Sequence, residues 1–568
     1  MSTPVHPDTA TEPAPPARLT RGTLLAAALA VCVAQVALAI PAVLNGLFQT
    51  DLGTSSAQLT WISDAFLVPV TLLELTFGVL GDLFGRKRLV VLGTLLLVVG
   101  QTVSVLTPGS SSATGTRVLV LWAGQIVSGV GAAAIFPTTL AMVAAGTHTA
   151  RDRSRAISVW AAALASGGFV SPVLGGWLAR YRFGADPNAT WRWAFIAVIV
   201  LAAISTVVSI LCARDSSAPA GRSLDWPGQA TVAIALFALL YAVIQGPTSG
   251  WGSSGVITGF ALAVVFLALF ILVERRSPAP LLRLDLFANR AFAVAAIATV
   301  FGMFAYLGTA YASSIRLSAI QGFTPLKTSI AFILLNGMTL LLAPLTSRVL
   351  ERYNPKWTLG VGFTLIGAGD LWLAALSAAN LSIAPIVPPL LLVGIGFAFA
   401  LSSVTAVAVN TVPNHLAGMA SGSTSLLRDF GFTLGPAVIG AVALSRAAAE
   451  ISAKVAANQA LAKALAAFNA SATTAPAAQK LTLEAAIGAV NSGPLGANAV
   501  PGTITLPSGQ TVPFNPLKDT AFNALGHAYS IGYAVCGASA LAAALLATIG
   551  LRGRARETQI SEESLAAD

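Results

Sequence analysis

Charge is what this sequence has least of. Lys, Arg, Asp and Glu make up 10% of the 568 residues, against 55% hydrophobic residues and a mean hydropathy of +0.79. Soluble domains carry roughly 25% charged residues, so the shortfall excludes an ordinary water-soluble globule. Cysteine is nearly missing too: Cys32, Cys212 and Cys536 each fall in an apolar stretch, where a thiol behaves as a small buried hydrophobe. No disulfide framework and no metal site is expected. The four histidines, His6, His148, His415 and His527, stand apart from any nucleophile and acid that would complete a catalytic set, so the chain does not read as an enzyme. Glycine runs such as GVGAAA at 129–134 lack the strand–loop–helix setting of a phosphate cradle, and close helix packing accounts for them better. Neither a cofactor nor an ATP-driven pump is indicated. The first twenty residues are rich in Pro, Thr and Ala without an apolar core beside a cleavage site, which reads as a disordered tail and not as a signal peptide.

What is present is apolar length. A bilayer-spanning helix needs about 20 mostly apolar residues. Such runs lie near 23–45, 59–80, 89–107, 118–142, 155–179, 191–212, 227–246, 255–273, 291–313, 328–349, 357–378, 383–409, 419–445 and 525–551. The expectation is an all-α polytopic membrane protein of fourteen helices.

The net charge of +10 would suit nucleic acid only if the bases clustered on one soluble face. They cluster on one side of the membrane. With a cytoplasmic amino terminus, twenty Lys and Arg fall on inner segments, while the short outer loops hold Arg117, Arg180, Arg182, Arg192, Arg316 and Lys327. That asymmetry puts both termini in the cytoplasm and argues against nucleic acid as a partner.

Two stretches repeat. GVLGDLFGRKRLVVLG from Gly78 aligns with SRVLERYNPKWTLGVG from Ser347 at an offset of 269, and SPVLGG at 171–176 aligns with GPAVIG at 435–440 at 264. The chain therefore reads as a cytoplasmic tail (1–22), a six-helix half (23–213), two inserted helices (214–276), helices 9–13 of a second half (277–445), an extracytoplasmic segment (446–524), helix 14 (525–551) and a second tail (552–568). Parallel related halves are a common transporter plan. Within 446–524, AAAEISAKVAANQALAKALAAF has helix-forming composition, and TITLPSGQTVPF reads as two short extended runs about a Ser-Gly turn. That segment serves either as a spacer or cap or as a partner or substrate contact.

Ionisable residues inside apolar helices mark pathways or ion pairs, because a charge there costs several kcal/mol. Asp64 and Glu74 lie in helix 2, Asp370 in helix 11, and Arg428 and Asp429 in helix 13. Asp64 and Glu74 are ten residues apart, which sets them roughly 80° apart around the helix and lets both face one cavity. A carboxyl group alternately buried and wetted can take up and release a proton. The other reading for each acid is local hydrogen bonding near an interface, and for Arg428 and Asp429 a local pair.

These motifs resemble the major facilitator superfamily, and specifically its fourteen-helix drug:proton antiporter branch. GDLFGRKR resembles the signature loop between helices 2 and 3. SGVGAA at 128–133 resembles the helix 4 motif, SPVLGG the antiporter motif of helix 5, WRWAF at 191–195 the start of helix 6, and LDWPG at 224–228 the start of helix 7. QGFTPLKTSI at 321–330 and AGMASGSTSLLRDFGFTLG at 417–435 resemble the ninth-to-tenth loop and helix 13. The resemblance implies a latch in which Asp82 pairs with basic loop residues and the end of a neighbouring helix, with Gly78 and Gly85 allowing close approach and a tight turn. Arg86, Lys87 and Arg88 also sit where anionic lipid heads attract bases. It further implies roles for Gly129 and Gly131 in helix 4 and for Ser171, Pro172, Gly175 and Gly176 in helix 5.

The departures bear on the drive. Where the family places an arginine in helix 4 upstream of Gly129, this chain has Gln125. Helix 1 carries no charge between Thr23 and Asn45, Ser171 replaces the usual Gly before Pro, and VIV at 198–200 stands where Asn-x-Pro is usual. Proton antiport then rests on Asp64 and Glu74, with Asp370 or Asp429, or the protein couples otherwise. The expected function is export of hydrophobic or cationic small molecules across the plasma membrane of a GC-rich bacterium, by a monomer using protons. The alternative is an exporter of an endogenous amphiphile or a facilitator without proton coupling.

Overall fold

The computed structural model describes residues 19–551 apart from 148–149, 185–187, 218–223, 279, 283, 378–379, 381, 410–416, 461, 464–502, 506–510 and 514–517. The two tails beyond 19 and 551, and most of the 446–524 segment, lie outside the described residues. Fourteen helices among the described residues are long and apolar enough to cross a membrane. They are α1 (Arg21–Leu52), α2 (Ser56–Phe84), α3 (Arg86–Val105), α4 (Thr114–Ala145), α5 (Ala150–Leu178), α6 (Arg192–Cys212), α7 (Trp226–Ser249), α8 (Ser254–Arg276), α9 (Arg290–Ser314), α10 (Pro325–Arg352), α11 (Pro355–Ala375), α12 (Val387–Val409), α13 (Ala417–Ala457) and α14 (Lys518–Leu545).

Three boundaries differ from the sequence reading by seven residues or more, one of them the start of helix 14, at Lys518 and not near 525. Helix 1 ends at Leu52 and not near 45, in two segments, Arg21–Ala39 and Pro41–Leu52. Pro41 has no N–H to donate and cannot sit inside an unbroken helix, yet it suits the first position of a new one. Helix 13 continues past 445 to Ala457. Its Ala-rich continuation packs on α14, where Glu450 binds Lys454 Nζ at 2.6 Å and His527 Nδ1 at 2.9 Å. Part of the expected outer segment is therefore a helical extension, and further along it Thr503–Thr505 pairs antiparallel with Thr511–Pro513.

The internal repeat recurs in the packing of glycines. Gly93 on α3 meets the Gly131 carbonyl on α4, and 269 residues later Gly362 on α11 meets the Gly396 carbonyl on α12; a Cβ on either would lie 2.7 or 2.8 Å from backbone oxygen. Gly100 against Gly124 is matched by Gly369 against Pro389, and Gly129 on the Phe66 carbonyl of α2 by Gly394 on the Leu334 carbonyl of α10. Without a hydrophobic effect to drive helices together in lipid, such close backbone approach supplies the association. Helices α1–α6 form one half and α9–α14 the other. The inserted pair α7–α8 packs on itself, and α7 lies against α2 and α13 through Leu236, Leu240 and Ile244. The halves meet along α2·α13 and α5·α10.

Candidate functional site: the seam between the halves

The seam's polar face begins as a stripe on α2. Thr60, Asp64, Thr71 and Glu74 follow at spacings of four, seven and three residues, which keeps all four within about 80° around a helix of 3.6 residues per turn. The stripe faces the other half at three depths. Thr60 Oγ1 is 2.9 Å from Tyr311 OH on α9, Thr71 Oγ1 is 2.8 Å from Thr433 Oγ1 on α13, and Glu74 Oε2 is 4.0 Å from Arg428 Nη2.

At the Glu74 level three ionisable groups meet. Arg428 Nε donates to Asp429 Oδ1 at 2.8 Å and its Nη2 to Oδ2 at 3.1 Å, while the Asp429 carboxyl lies beside that of Glu74. Arg428 and Asp429 thus pair locally and also face the acid of the other half. Two carboxyls stand against one guanidinium, and Glu74 and Asp429 are nearly fully buried. Glu74 Oε2 makes no hydrogen bond.

About 15 Å along α2, Asp64 is completely buried and neither carboxyl oxygen has a hydrogen-bond partner. Tyr311 lies within its electrostatic reach, and Tyr529 of α14 lies beside Tyr311. Gly440 on α13 leaves room for this cluster, since a Cβ there would lie 3.2 Å from Thr60 Oγ1 and 3.4 Å from Tyr311 OH.

Asp370 is elsewhere. It sits inside the second half, accepting from Thr309 Oγ1 at 2.6 Å, with Tyr533 and Cys536 within electrostatic reach. At the offset of 269 its counterpart is Gln101, which donates to Ser128 Oγ at 3.0 Å inside the first half. Gln125 returns the bond from α4 to α3, donating to Ser104 Oγ at 3.1 Å. Gln125 therefore joins two helices of one half, around the Gly100–Gly124 contact.

The signature loop is a sharp junction. α2 ends at Phe84 and α3 starts at Arg86, with Gly85 between them at φ +101°, a conformation that glycine reaches without cost. Arg86 binds Asp82 through Nη2 at 2.7 Å and Nε at 3.1 Å. The end of α6 is tied to the loop by Lys87 and Asp215. Lys87 Nζ donates to the Ile210 carbonyl at 2.7 Å, and Asp215, just past α6, accepts from Lys87 N–H at 3.1 Å. Asp215 so caps the amino terminus of α3, and a Cβ at Gly85 would lie 2.7 Å from its carboxylate. Arg88 is exposed, and Gly78 stands over Pro137 of α4.

The α5 motif faces the seam. Ser171 Oγ donates to the Val36 carbonyl of α1 at 3.1 Å, Gly175 lies on Ile40, and Gly176 crosses α10 at Pro325–Leu326. Pro172 is within α5. At the end of the molecule remote from the signature loop, hereafter the far end, Asn45 donates to Ser314 Oγ at 3.0 Å, joining α1 to α9.

Sequence reasoning missed Thr60 and Thr71, which the helical spacing from Asp64 and Glu74 would have revealed, and Tyr311 and Thr433, which have no local signal. It also missed a buried ion pair at the far end. Arg117 Nη2 binds Asp51 Oδ1 at 2.8 Å and Trp191 Nε1 donates to Oδ2 at 2.7 Å.

Two pseudo-symmetric six-helix halves with a polar seam are the plan of a membrane transporter. The chain belongs to the Major Facilitator Superfamily, whose family description it matches over residues 25–436. It is similar to multidrug resistance protein Stp of Mycobacterium tuberculosis, 31% identical over 69% of this chain and 70% of that one. It is also similar to the tetracenomycin C resistance and export protein of Streptomyces glaucescens, 28% identical over 78% and 81%, and to the puromycin resistance protein of Streptomyces alboniger, 29% identical over 73% and 79%. Among solved structures, the POT family transporter PepTSo shares the fold with a TM-score of 0.58 at 15% identity, over 94% of this chain and 98% of that one. A D-xylose–proton symporter does so with a TM-score of 0.53 over 74% and 90%. The protein is a multi-pass membrane transporter, not an enzyme.

Proposed function

We propose that this transporter exports hydrophobic or cationic small molecules, drugs and antibiotics among them, in exchange for protons. The Glu74–Arg428–Asp429 cluster is the coupling site. Its placement across the seam carries the reading: Glu74 belongs to one half and its two partners to the other. Two carboxylates beside one guanidinium leave a net negative charge, which one proton cancels. A net charge inside a low-dielectric seam costs several kcal/mol, so the closed seam is favoured with one proton bound. A rigid-body motion that parts α2 from α13 separates Glu74 from Arg428 and wets it, and the proton leaves. Asp64 is the second carrier, reached from the far end. The resistance and export functions in the names of the relatives support the direction and class of cargo. The distribution of Lys and Arg supports cytoplasmic termini in a bacterial plasma membrane.

Growth assays test the cargo. A deletion strain should become sensitive to several unrelated dyes, quaternary ammonium compounds and antibiotics, and regain resistance with the wild-type gene. Unchanged sensitivity beside an altered secreted-lipid or metabolite profile would replace this reading with export of an endogenous amphiphile.

A further inference from the structure

The inserted pair α7–α8 belongs to neither half, so the surface it covers shows what it adds. α2 and α10 correspond at the repeat offset of 269, and on that frame Leu72 and Thr76 stand where α10 has Leu341 and Leu345. The two leucines turn outward, 69% and 47% exposed, as lipid-facing positions do. Thr76 is 5% exposed, because α7 lies over this face of α2. A hydroxyl on such a face finds its partner on the covering helix.

That partner is Gln229, buried in the first turn of α7. Asp225 caps the turn, accepting from Gly228 N–H at 2.8 Å, and so fixes where the amide falls. Both ends of the amide are used on one turn of α2. Gln229 Nε2 donates to the Leu72 carbonyl at 2.6 Å, and Thr76 Oγ1 donates to Gln229 Oε1 at 2.6 Å. A helical threonine often donates to the carbonyl four residues back, as Thr71 does to Leu67 at 3.0 Å. Here the amide is inserted between Thr76 and the Leu72 carbonyl. Glu74 lies midway between the two gripped residues, about 160° around the helix from each. The amide therefore holds, from behind, the turn whose front presents Glu74 to Arg428. Pro69, one turn earlier inside α2, has no N–H for the Ala65 carbonyl, and a helix bends readily at such a point. Attachment of α7 alone would not require the amide, since Leu236, Leu240 and Ile244 already pack it on the seam.

We infer that Gln229 is a positioning residue for the coupling site: it clamps the Leu72–Thr76 turn of α2 so that Glu74 stays opposite Arg428 and Asp429 while the seam is closed. This rests on the proton-exchange reading above and gives the inserted helices a part in it. Without the clamp, the segment of α2 beyond Pro69 can swing, and Glu74 leaves its partners before the halves part. Cargo then crosses without its proton.

Proton flux and ethidium flux, read together in liposomes of the full-length protein under an imposed pH gradient, test the clamp. Gln229→Leu and Thr76→Val should each lower the ratio of proton to ethidium flux about fivefold, the worth of one buried hydrogen bond, and leave downhill ethidium flux within about twofold. Thr76→Ser, which keeps the hydroxyl, should keep the wild-type ratio. Leu240→Ala, which loosens α7 and leaves the amide in place, should lower the melting temperature in detergent and also keep the ratio. If Gln229→Leu does not fold, the milder Thr76→Val decides. A wild-type ratio in the folded Gln229→Leu or Thr76→Val protein, a fall in Thr76→Ser, or an equal fall in Leu240→Ala would each overturn the clamp. Failure of the proton-exchange reading is separate: the wild type itself would then move ethidium without moving protons.

Discussion

Single residues decide where charge is tolerated in this chain. Arg117, Arg192 and Arg316, three of the six bases assigned to outer loops, are buried and spent on backbone carbonyls. Arg117 binds Asp51 and Pro108, Arg192 the Thr107 carbonyl, and Arg316 the carbonyls of Leu373, Leu376 and Ser377. Discounting them sharpens the asymmetry that orients the protein. The four acids picked out of the apolar runs divide by position. Glu74, Asp429 and Asp64 line the seam, whereas Asp370 is held by Thr309 inside one half. Asp370→Asn should therefore leave transport within about twofold of wild type, because the equivalent position in the first half is already an amide, Gln101; vesicle uptake rates check this against a large loss in Asp64→Asn. Asp215 caps α3 from 128 residues further along the chain. Asp215→Ala should cost about 1 kcal/mol, the usual worth of a cap, read as a lower melting temperature in detergent, with Asp215→Asn recovering most of it.

At the scale of elements, the helices were legible because apolar length is an unambiguous signal, and their ends were not. The α1 break at Pro41 extended the first helix to Asp51, so its lack of charge between Thr23 and Asn45 did not extend to its last turn. Ala-rich sequence after 445 was recognisably helical, but only its docking on α14 shows that it prolongs α13. The glycine motifs read as packing signals, and their partners needed the fold. Gly129 abuts the Phe66 carbonyl and Gly394 its counterpart, where any side chain meets backbone that cannot give. Gly129→Leu or Gly394→Leu should destabilise by at least the roughly 1–3 kcal/mol of an overpacked core, seen as loss of the monodisperse peak in size-exclusion chromatography. Gly115, which has nothing near it, should accept alanine without that loss.

For the whole molecule, the repeat in sequence foretold the two halves, and the seam between them is where the account makes its strongest demands. The far end is joined through Asn45–Ser314 and through Gly46, whose Cβ would lie 3.2 Å from Ser318 Cβ, close to disulfide spacing. With the three native cysteines replaced by alanine, Gly46→Cys combined with Ser318→Cys should cross-link under oxidation and stop transport, and reduction should restore it. Transport that continues in the fully cross-linked protein would mean that the halves need not part there. The most direct measurement is reconstitution into liposomes with an imposed pH gradient, comparing ethidium flux and proton flux in the wild type, Glu74→Gln and Asp64→Asn. The account predicts gradient-driven exchange in the wild type, and for Glu74→Gln a loss of proton flux and of uphill ethidium transport of at least about tenfold, or 1.4 kcal/mol of coupling. Uphill transport that ignores both the gradient and the Glu74 substitution would contradict it.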